Sequence, residues 1–391
     1  MIDNYQPSVK QENNLETSSG EKGFIRNVLV KAIILFLVAN LLFTIKDPLP
    51  SLGKLSLYNH ILPGRQRLPY GDNPERSYNL SLNNLAAMFT SHELAGGIKP
   101  DDEYRVILVG DSATWGYLQK PEQTLSAQIN QLGVVLPDGR RVRAYNLGYP
   151  VMSLMKDLLI LSRAVAYKPD LIVWLVTLES FPEDKQLFAP LLQNNPQPVR
   201  ELMETYGLTL EAGDANLTRD LVFNRTIVGR RRELADLLRL QIYGVLWAAT
   251  GIDQDIAGYT PVSQDLEPDE NFHDLNPPHL TKEDLALKIV DAGLEIAGNT
   301  PVILINEPIF ISSGENSHIR YNFYYPRWAY DDYRQILSKA AAEKDWIYYD
   351  LWDLIPAGEF TNTAVHLSPE GVSQFAAEVS TLISKVAISS H

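Results

Sequence analysis

Cysteine is absent from the chain, which excludes disulfides, thiolate metal sites and a cysteine nucleophile and leaves the redox compartment open. Covalent chemistry therefore falls to hydroxyl, carboxylate or lysine side chains. There is no GxGxxG run and no P-loop, so no phosphate cradle is encoded. His92-Glu93 and His273 to His279 lack the paired helical spacing of an HExxH site; no metal and no cofactor are expected. Positive charge is in deficit: 34 Lys and Arg stand against 48 Asp and Glu, a formal net charge of -14. Spread along the chain, that charge repels phosphates and argues against a nucleic-acid partner. Internal repeats are also lacking.

What is present begins with size. At 391 residues and 45% hydrophobic composition, the chain can bury one large α/β core and still carry an extra subdomain. Met1 to Gly23 is polar, mixed in charge and without apolar periodicity, which predicts a disordered tail over 1–23. Phe24 to Ile45 reads FIRNVLVKAIILFLVANLLFTI, and at about 1.5 Å per residue it reaches the roughly 30 Å of a hydrocarbon core. A transmembrane helix over 24–46 follows, with a buried globular helix and a cleaved signal peptide as the competing readings. No small-x-small cleavage site follows Leu41 to Lys46, which favours a retained anchor. Arg26 and Lys31 stand at its N-terminal end, while Lys46 and Asp47 cancel at the other. The positive-inside bias then makes a single-pass protein with a cytoplasmic N-terminus and an extracytoplasmic main domain.

Residues 47–100 are rich in Pro, Gly and Asn and read as a stalk and lead-in, with one short helix near Leu80 to Leu94. Beyond them strand and helix patterns alternate. Tyr104 to Val109, Val142 to Leu147, Leu171 to Leu178, Val302 to Asn306 and Trp346 to Asp350 are apolar strand candidates. Helices are predicted at Thr124 to Leu132, Leu154 to Ala166 and Tyr330 to Glu343. Such alternation encodes parallel βαβ units, hence an α/β fold with one doubly wound, five-stranded, mainly parallel sheet in residues 101–391. Ser368 caps a final helix with Pro369 in its first turn and an apolar face from Val372 to Ile383. An insertion over 181–300 exceeds ordinary connections. It contains the basic amphipathic stretch NRTIVGRRRELADLLRLQIYGVLWAATG. This stretch is either an added layer whose Arg230, Arg231 and Arg232 are solvated, or a lid, or a surface resting on anionic lipid or a partner.

Three segments carry chemistry. Val106 to Gly116, VILVGDSATWG, ends an apolar strand in Gly-Asp-Ser at the carboxyl edge of the sheet, where open α/β sheets bind ligands. A serine at such a turn exposes its Oγ, and nearby backbone N–H groups can stabilise an oxyanion. Tyr145 to Ser153, YNLGYPVMS, ends a second strand at Gly148, whose N–H can reach the same crevice. Thr363 to Gly371, TAVHLSPEG, puts His366 just before the final helix, on a loop returning to that edge. Each segment alone reads equally as an ordinary turn or a surface histidine; together they suggest a Ser112–His366 pair.

GDSATWG, NLGYP and VHLSPEG resemble the first, second and fifth blocks of the SGNH (GDSL) hydrolase superfamily, in order, over about Tyr104 to Ser384 outside the insertion. The resemblance implies a three-layer α/β/α, flavodoxin-like fold, Ser112 as nucleophile and His366 as base. It also implies an oxyanion hole from the N–H groups of Ser112 and Gly148. Substrates in that family are esters and acyl groups of lipids, sugars or polysaccharides.

The chain departs from the pattern twice. The block after the third strand normally supplies an oxyanion-hole asparagine; here the run is Val176-Thr177-Leu178-Glu179-Ser180, and Glu179 would repel an oxyanion unless protonated. Asn306 in INEPIF is an alternative donor, or simply a turn residue. The family's acid stands three residues before the histidine, where this chain has Thr363, preceded by Asn362. A dyad oriented by Thr363 or a main-chain oxygen is one reading, with Asp350, Asp353 or Glu307 as more distant carboxylates. Asp111, Glu179, Arg320 and Arg327 are candidate substrate contacts, the arginines because RYNFYYPRWAYDDY suits sugar stacking or an acidic glycan as well as plain helix packing. The expected activity is a serine esterase or O-acyltransferase on acyl, first acetyl, esters of envelope polysaccharide. The alternatives are a lipid or lysophospholipid esterase and a non-catalytic glycan-binding or assembly factor.

Overall fold

In the computed structural model, which describes residues 14–55, 57, 61, 84–210, 222–250 and 258–389, the five apolar runs become five parallel strands. They are β1 (Glu103–Val109), β2 (Arg141–Asn146), β3 (Leu171–Val176), β4 (Val302–Asn306) and β5 (Ile347–Asp350). Their order is β2-β1-β3-β4-β5, the doubly wound arrangement whose direction of winding reverses between β1 and β3. Every residue of β1, β3 and β4 is buried, as expected of parallel strands covered on both faces.

The chain divides into two units, one of Met1–Pro48 with Leu221–Arg232 and one of Leu49–Asp220 with Glu233–His391. The first is built on α1 (Asn14–Lys46), which starts ten residues before Phe24, so that 14–23 is helical instead of a disordered tail. Residues 1–13 lie outside the described residues. Lys22–Lys46 is long and apolar enough to cross a membrane.

In the second unit the helices are α2 (Leu49–Leu52), α3 (Leu85–Ser91), α4 (Ser112–Trp115), α5 (Leu125–Gln131), α6 (Leu154–Ala164), α7 (Pro190–Gln193) and α8 (Pro196–Tyr206). Then follow α9 (Arg231–Thr250), which begins in the first unit, α10 (Leu287–Ala297), α11 (Arg327–Glu343) and α12 (Pro369–Ser389). Alternate strand residues face opposite layers. Ile107, Val109, Ile172, Trp174 and Leu304 pack with α6, α10 and α11. Val106, Leu108, Val173, Leu175, Ile303 and Ile305 pack with α5 and α12. The result is the three-layer α/β/α fold.

Two boundaries differ from the sequence expectation. Leu49 of α2 and Leu85, Met88 and Phe89 of α3 are buried, so these parts of 47–100 belong to the core and not to a stalk. Within 181–300, α10 is the helix connecting β3 to β4, packed on α6, and Leu191, Leu192 and Val199 are also fully buried. Much of the supposed insertion is thus a regular layer of the fold.

Candidate active site

β1 delivers its chain to Gly110 at the sheet's carboxyl edge, and the backbone turns at once into α4. Asp111 caps that turn, its Oδ1 accepting from Ala113 N–H at 2.7 Å. A Cβ at Gly110 would overlap Thr114 Oγ1, and one at Gly148 would overlap the Thr114–Trp115 backbone. Both positions must be glycine for the two strand ends to approach. Ser112 is left half-exposed on the turn while Thr114 is buried beneath it.

The C-terminal loop brings the histidine to this hydroxyl. Ser112 Oγ and His366 Nε2 lie 2.8 Å apart although 254 residues separate them. The loop is closed by bonds around His366: Thr361 N–H donates to His366 O at 2.8 Å, and Thr363 Oγ1 accepts from His366 N–H at 3.2 Å and Val365 N–H at 3.3 Å. Asn362 Oδ1 stands 2.9 Å from His366 Nδ1. An amide oxygen can only accept, so Nδ1 carries the proton and Nε2 keeps a lone pair for the Ser112 hydroxyl. The Tyr117 ring stacks on the imidazole at 4.7 Å between centroids, and Gln119 Nε2 donates to Leu367 O at 3.1 Å.

Burial holds the His366 imidazole below its ordinary value, and the Asp111 carboxylate pulls it partway back. Under the turn lies a chain of buried charges. Lys156, fully buried, donates to Gly110 O at 2.7 Å and Tyr149 O at 2.9 Å and pairs with Asp157 at 2.6 Å. Trp174 Nε1 donates to Asp157 Oδ2 at 3.1 Å. Glu307 lines a small cavity with Ala113, Thr114 and Val365. Burial first, then the charges of Asp111 and Asp157, push Glu307 well above the carboxylate range, with Lys156 opposing. Asp111 Oδ2 is buried and accepts from no nitrogen donor or alcohol hydroxyl among the described residues. A protonated Glu307, its hydrogen-bonding neighbour, supplies the donor.

Other expected site residues are placed differently. Thr363 does not orient the ring; its hydroxyl is spent on two backbone N–H groups, and Asn362, one residue earlier, meets Nδ1. Asn306 cannot serve the oxyanion: it is fully buried, donating to Asp350 at 2.8 Å and accepting from Tyr330 and Tyr333 at 3.2 Å. The Gly148 N–H is turned to Asn146 Oδ1 at 3.0 Å. Ser112 N–H has no partner among the described residues. Asp111 is a cap and is buried, so it is not a substrate contact. Glu179 is engaged by Lys185 and, at 3.1 Å, by His273. Arg320 donates to the carbonyls of Asn322, Phe323 and Asp269. Arg327 donates to Ser317 O at 2.6 Å and lies over the Tyr321 ring. Both guanidiniums are therefore structural. Asp350 is taken up by Asn306 and Arg334.

Two residues of this site, Asn362 and Tyr117, carried no sequence signal of their own. The one pointer in the sequence is that Asn362 adjoins Thr363, the position of the acid in the resembled pattern.

No protein-family model and no curated protein sequence matches the chain. Among solved structures it is similar to a lipase/acylhydrolase from Enterococcus faecalis, at 16% identity and a TM-score of 0.34, covering 72% of this chain and 95% of that one. It is also similar to Est24, a carbohydrate acetylesterase from Sinorhizobium meliloti, at 12% identity and a TM-score of 0.33, covering 73% and 100%. A third is a putative arylesterase from Agrobacterium tumefaciens, at 12% identity and a TM-score of 0.32, covering 71% and 97%.

Proposed function

We propose that the chain is a membrane-anchored serine esterase or O-acyltransferase of the SGNH type, in which Ser112 takes an acyl group and His366 moves its proton. One observation carries this reading: a half-exposed serine hydroxyl 2.8 Å from an imidazole nitrogen whose tautomer is fixed for base catalysis.

In the first step Ser112 Oγ attacks the ester carbonyl as Nε2 accepts its proton, so imidazolium forms while negative charge develops on the carbonyl oxygen. Ser112 N–H, without a partner among the described residues, is the donor for that oxyanion. Collapse expels the alcohol with the proton from Nε2. Water, or a glycan hydroxyl, then attacks the acyl-serine by the same route in reverse.

Imidazolium is held by the Asn362 amide oxygen, a dipole where a triad would place a full charge, and by Asp111, whose charge favours the protonated ring. The site thus has less electrostatic help than a Ser-His-Asp triad, in keeping with a slow enzyme or one served by a reactive acyl donor.

The substrate class proposed is the acetyl ester of an extracytoplasmic polysaccharide. Its support is the apolar N-terminal helix, which would tie the domain to a membrane surface. The test is release of acetate from acetylated polysaccharide by the wild type and by Ser112→Ala. Loss of release in the variant supports the reading, and equal release from both overturns it. Adding a glycan acceptor separates transfer from hydrolysis, because a transferase diverts acetate into the glycan.

A further inference from the structure

The amphipathic helix α9 takes no part in the pair at Ser112, and its exposure is unusual. Leu238, Ile242 and Leu246, at four-residue spacing on one helical face, are 64%, 62% and 54% exposed. Leu237 and Gln241, on another face, are buried. Arg231, Arg232 and Arg239 are exposed beside the apolar stripe, Arg231 donating to Val228 O at 2.9 Å and Arg239 in a solvent-facing pair with Asp236 at 3.3 Å, in a chain whose net charge is -14. An apolar stripe flanked by arginines is the pattern of a helix lying in a bilayer interface, apolar side inward and guanidiniums at the phosphates.

Two contacts, one in each unit, bear on this helix. In the first unit, Thr44 Oγ1 donates to Arg225 O at 3.4 Å, two residues before α1 ends. Within that unit Arg225 thus lies near the carboxyl end of α1, and Arg231 follows six residues later. In the second unit, Gln241 Nε2 donates to Leu55 O at 2.7 Å and its Oε1 accepts from Leu57 N–H at 2.7 Å. Leu55 and Leu57 are themselves exposed and belong to the chain that has just left α1, nine residues past Lys46. At most about 30 Å of extended chain separates Leu55 from that end. Exposed leucines of the membrane-proximal segment and of α9 are thus joined by one glutamine.

We propose that α9 is a membrane-surface helix, with Leu238, Ile242 and Leu246 inserted at the acyl-chain boundary and Arg231, Arg232 and Arg239 paired with anionic lipid headgroups. The proposal rests on the anchored reading given above. It goes beyond that reading by giving the domain a second, lipid-sensitive attachment beside its tether.

Because the chain has no cysteine, a single introduced thiol reports one position. Full-length Ile242→Cys, labelled with bimane and reconstituted into phosphatidylcholine vesicles with and without phosphatidylglycerol, is compared with Leu132→Cys, an exposed site of the catalytic domain. The expected result is quenching of the Ile242 probe by nitroxide-bearing lipid and its protection from aqueous iodide, both greater with phosphatidylglycerol, while the Leu132 probe shows the reverse. Iodide quenching of both probes alike overturns the proposal, as does disulfide cross-linking between two Ile242→Cys chains, which would make the face an interface between copies. Indifference to phosphatidylglycerol overturns the role of the arginines. Release of the protein by alkaline carbonate overturns the anchor itself, and with it this proposal, whereas retention with iodide quenching overturns only the surface helix.

Discussion

Asn362 Oδ1 lies 2.9 Å from His366 Nδ1, so the group that faces the outer nitrogen of the base is a neutral amide four residues earlier in the chain. An amide oxygen fixes the tautomer as a carboxylate would, but places no unit charge beside imidazolium. Asn362→Ala is expected to lower kcat by about 10²- to 10³-fold, short of the roughly 10⁴-fold loss when the wrong tautomer is imposed. Asn362→Asp is expected to keep activity and to move the acidic limb of the pH profile upward, since a carboxylate favours the charged ring. Thr363→Val is the contrast. It removes a hydroxyl that accepts two backbone N–H groups and should cost on the order of 1–3 kcal/mol of stability, with little loss of kcat in the folded enzyme. Steady-state kinetics and thermal melts on the three variants separate these effects.

The resting pH dependence follows from burial. His366 is held below the ordinary imidazole value of about 6.5, with desolvation outweighing the pull of Asp111. Its base form is therefore present at neutral and mildly acidic pH. The acidic limb of kcat/KM is expected below that of a free imidazole, and Asp111→Asn, which keeps the cap oxygen but removes the charge, should move the limb lower still. An upward movement contradicts the placement of Asp111 near the ring. A chemical-shift titration of the His366 ring gives the same test without turnover.

Glu307 is raised by burial and by its acidic neighbours. The folded state therefore keeps a proton that the unfolded chain releases above its ordinary value of about 4.3. Stability from this group is complete below that value and falls as pH rises toward the folded one. Glu307→Gln, which retains a donor for Asp111 without a titrating group, is expected to match the wild type in acid and to melt higher at pH 8. Thermal melts at pH 5 and pH 8 test this. A variant that loses more stability at pH 8 than at pH 5 would mean that Glu307 is ionised in the fold.

Asn306 was a candidate donor to the oxyanion on sequence grounds, but its amide is consumed by Asp350, Tyr330 and Tyr333. Asn306→Ala should leave buried hydroxyls and a carboxylate short of partners, costing on the order of 1–3 kcal/mol. Its kcat is expected to stay within a few-fold of wild type, against the roughly 10²- to 10³-fold loss expected of an oxyanion donor.

These contrasts show what was legible beforehand. The sheet was, because fully buried parallel strands are continuous apolar runs: Val302–Asn306 emerged with the same ends, and Ser368 and Pro369 marked the start of α12, where Gly371 N–H donates to Ser368 Oγ. The approach of Ser112 to His366 was legible because each ends or precedes a strongly signalled element. Asn362 was not, since its role depends on how the 361–366 loop folds, with Thr363 taken up by backbone and the preceding side chain turned to the ring. Arg320 and Arg327 misled because composition says that a guanidinium is present and not that carbonyls of its own loop will claim it. The 181–300 segment looked like an insertion because α10 lies at its far end, beyond α7, α8 and α9.

Ser112 is proposed here as a nucleophile activated by His366. A fluorophosphonate probe on the full-length protein tests this role directly, with the adduct located by mass spectrometry. One modified residue, Ser112, is expected, with labelling abolished in Ser112→Ala and strongly slowed in His366→Ala. An intact protein that takes up no probe across the pH range, or takes it up equally in Ser112→Ala, would contradict it.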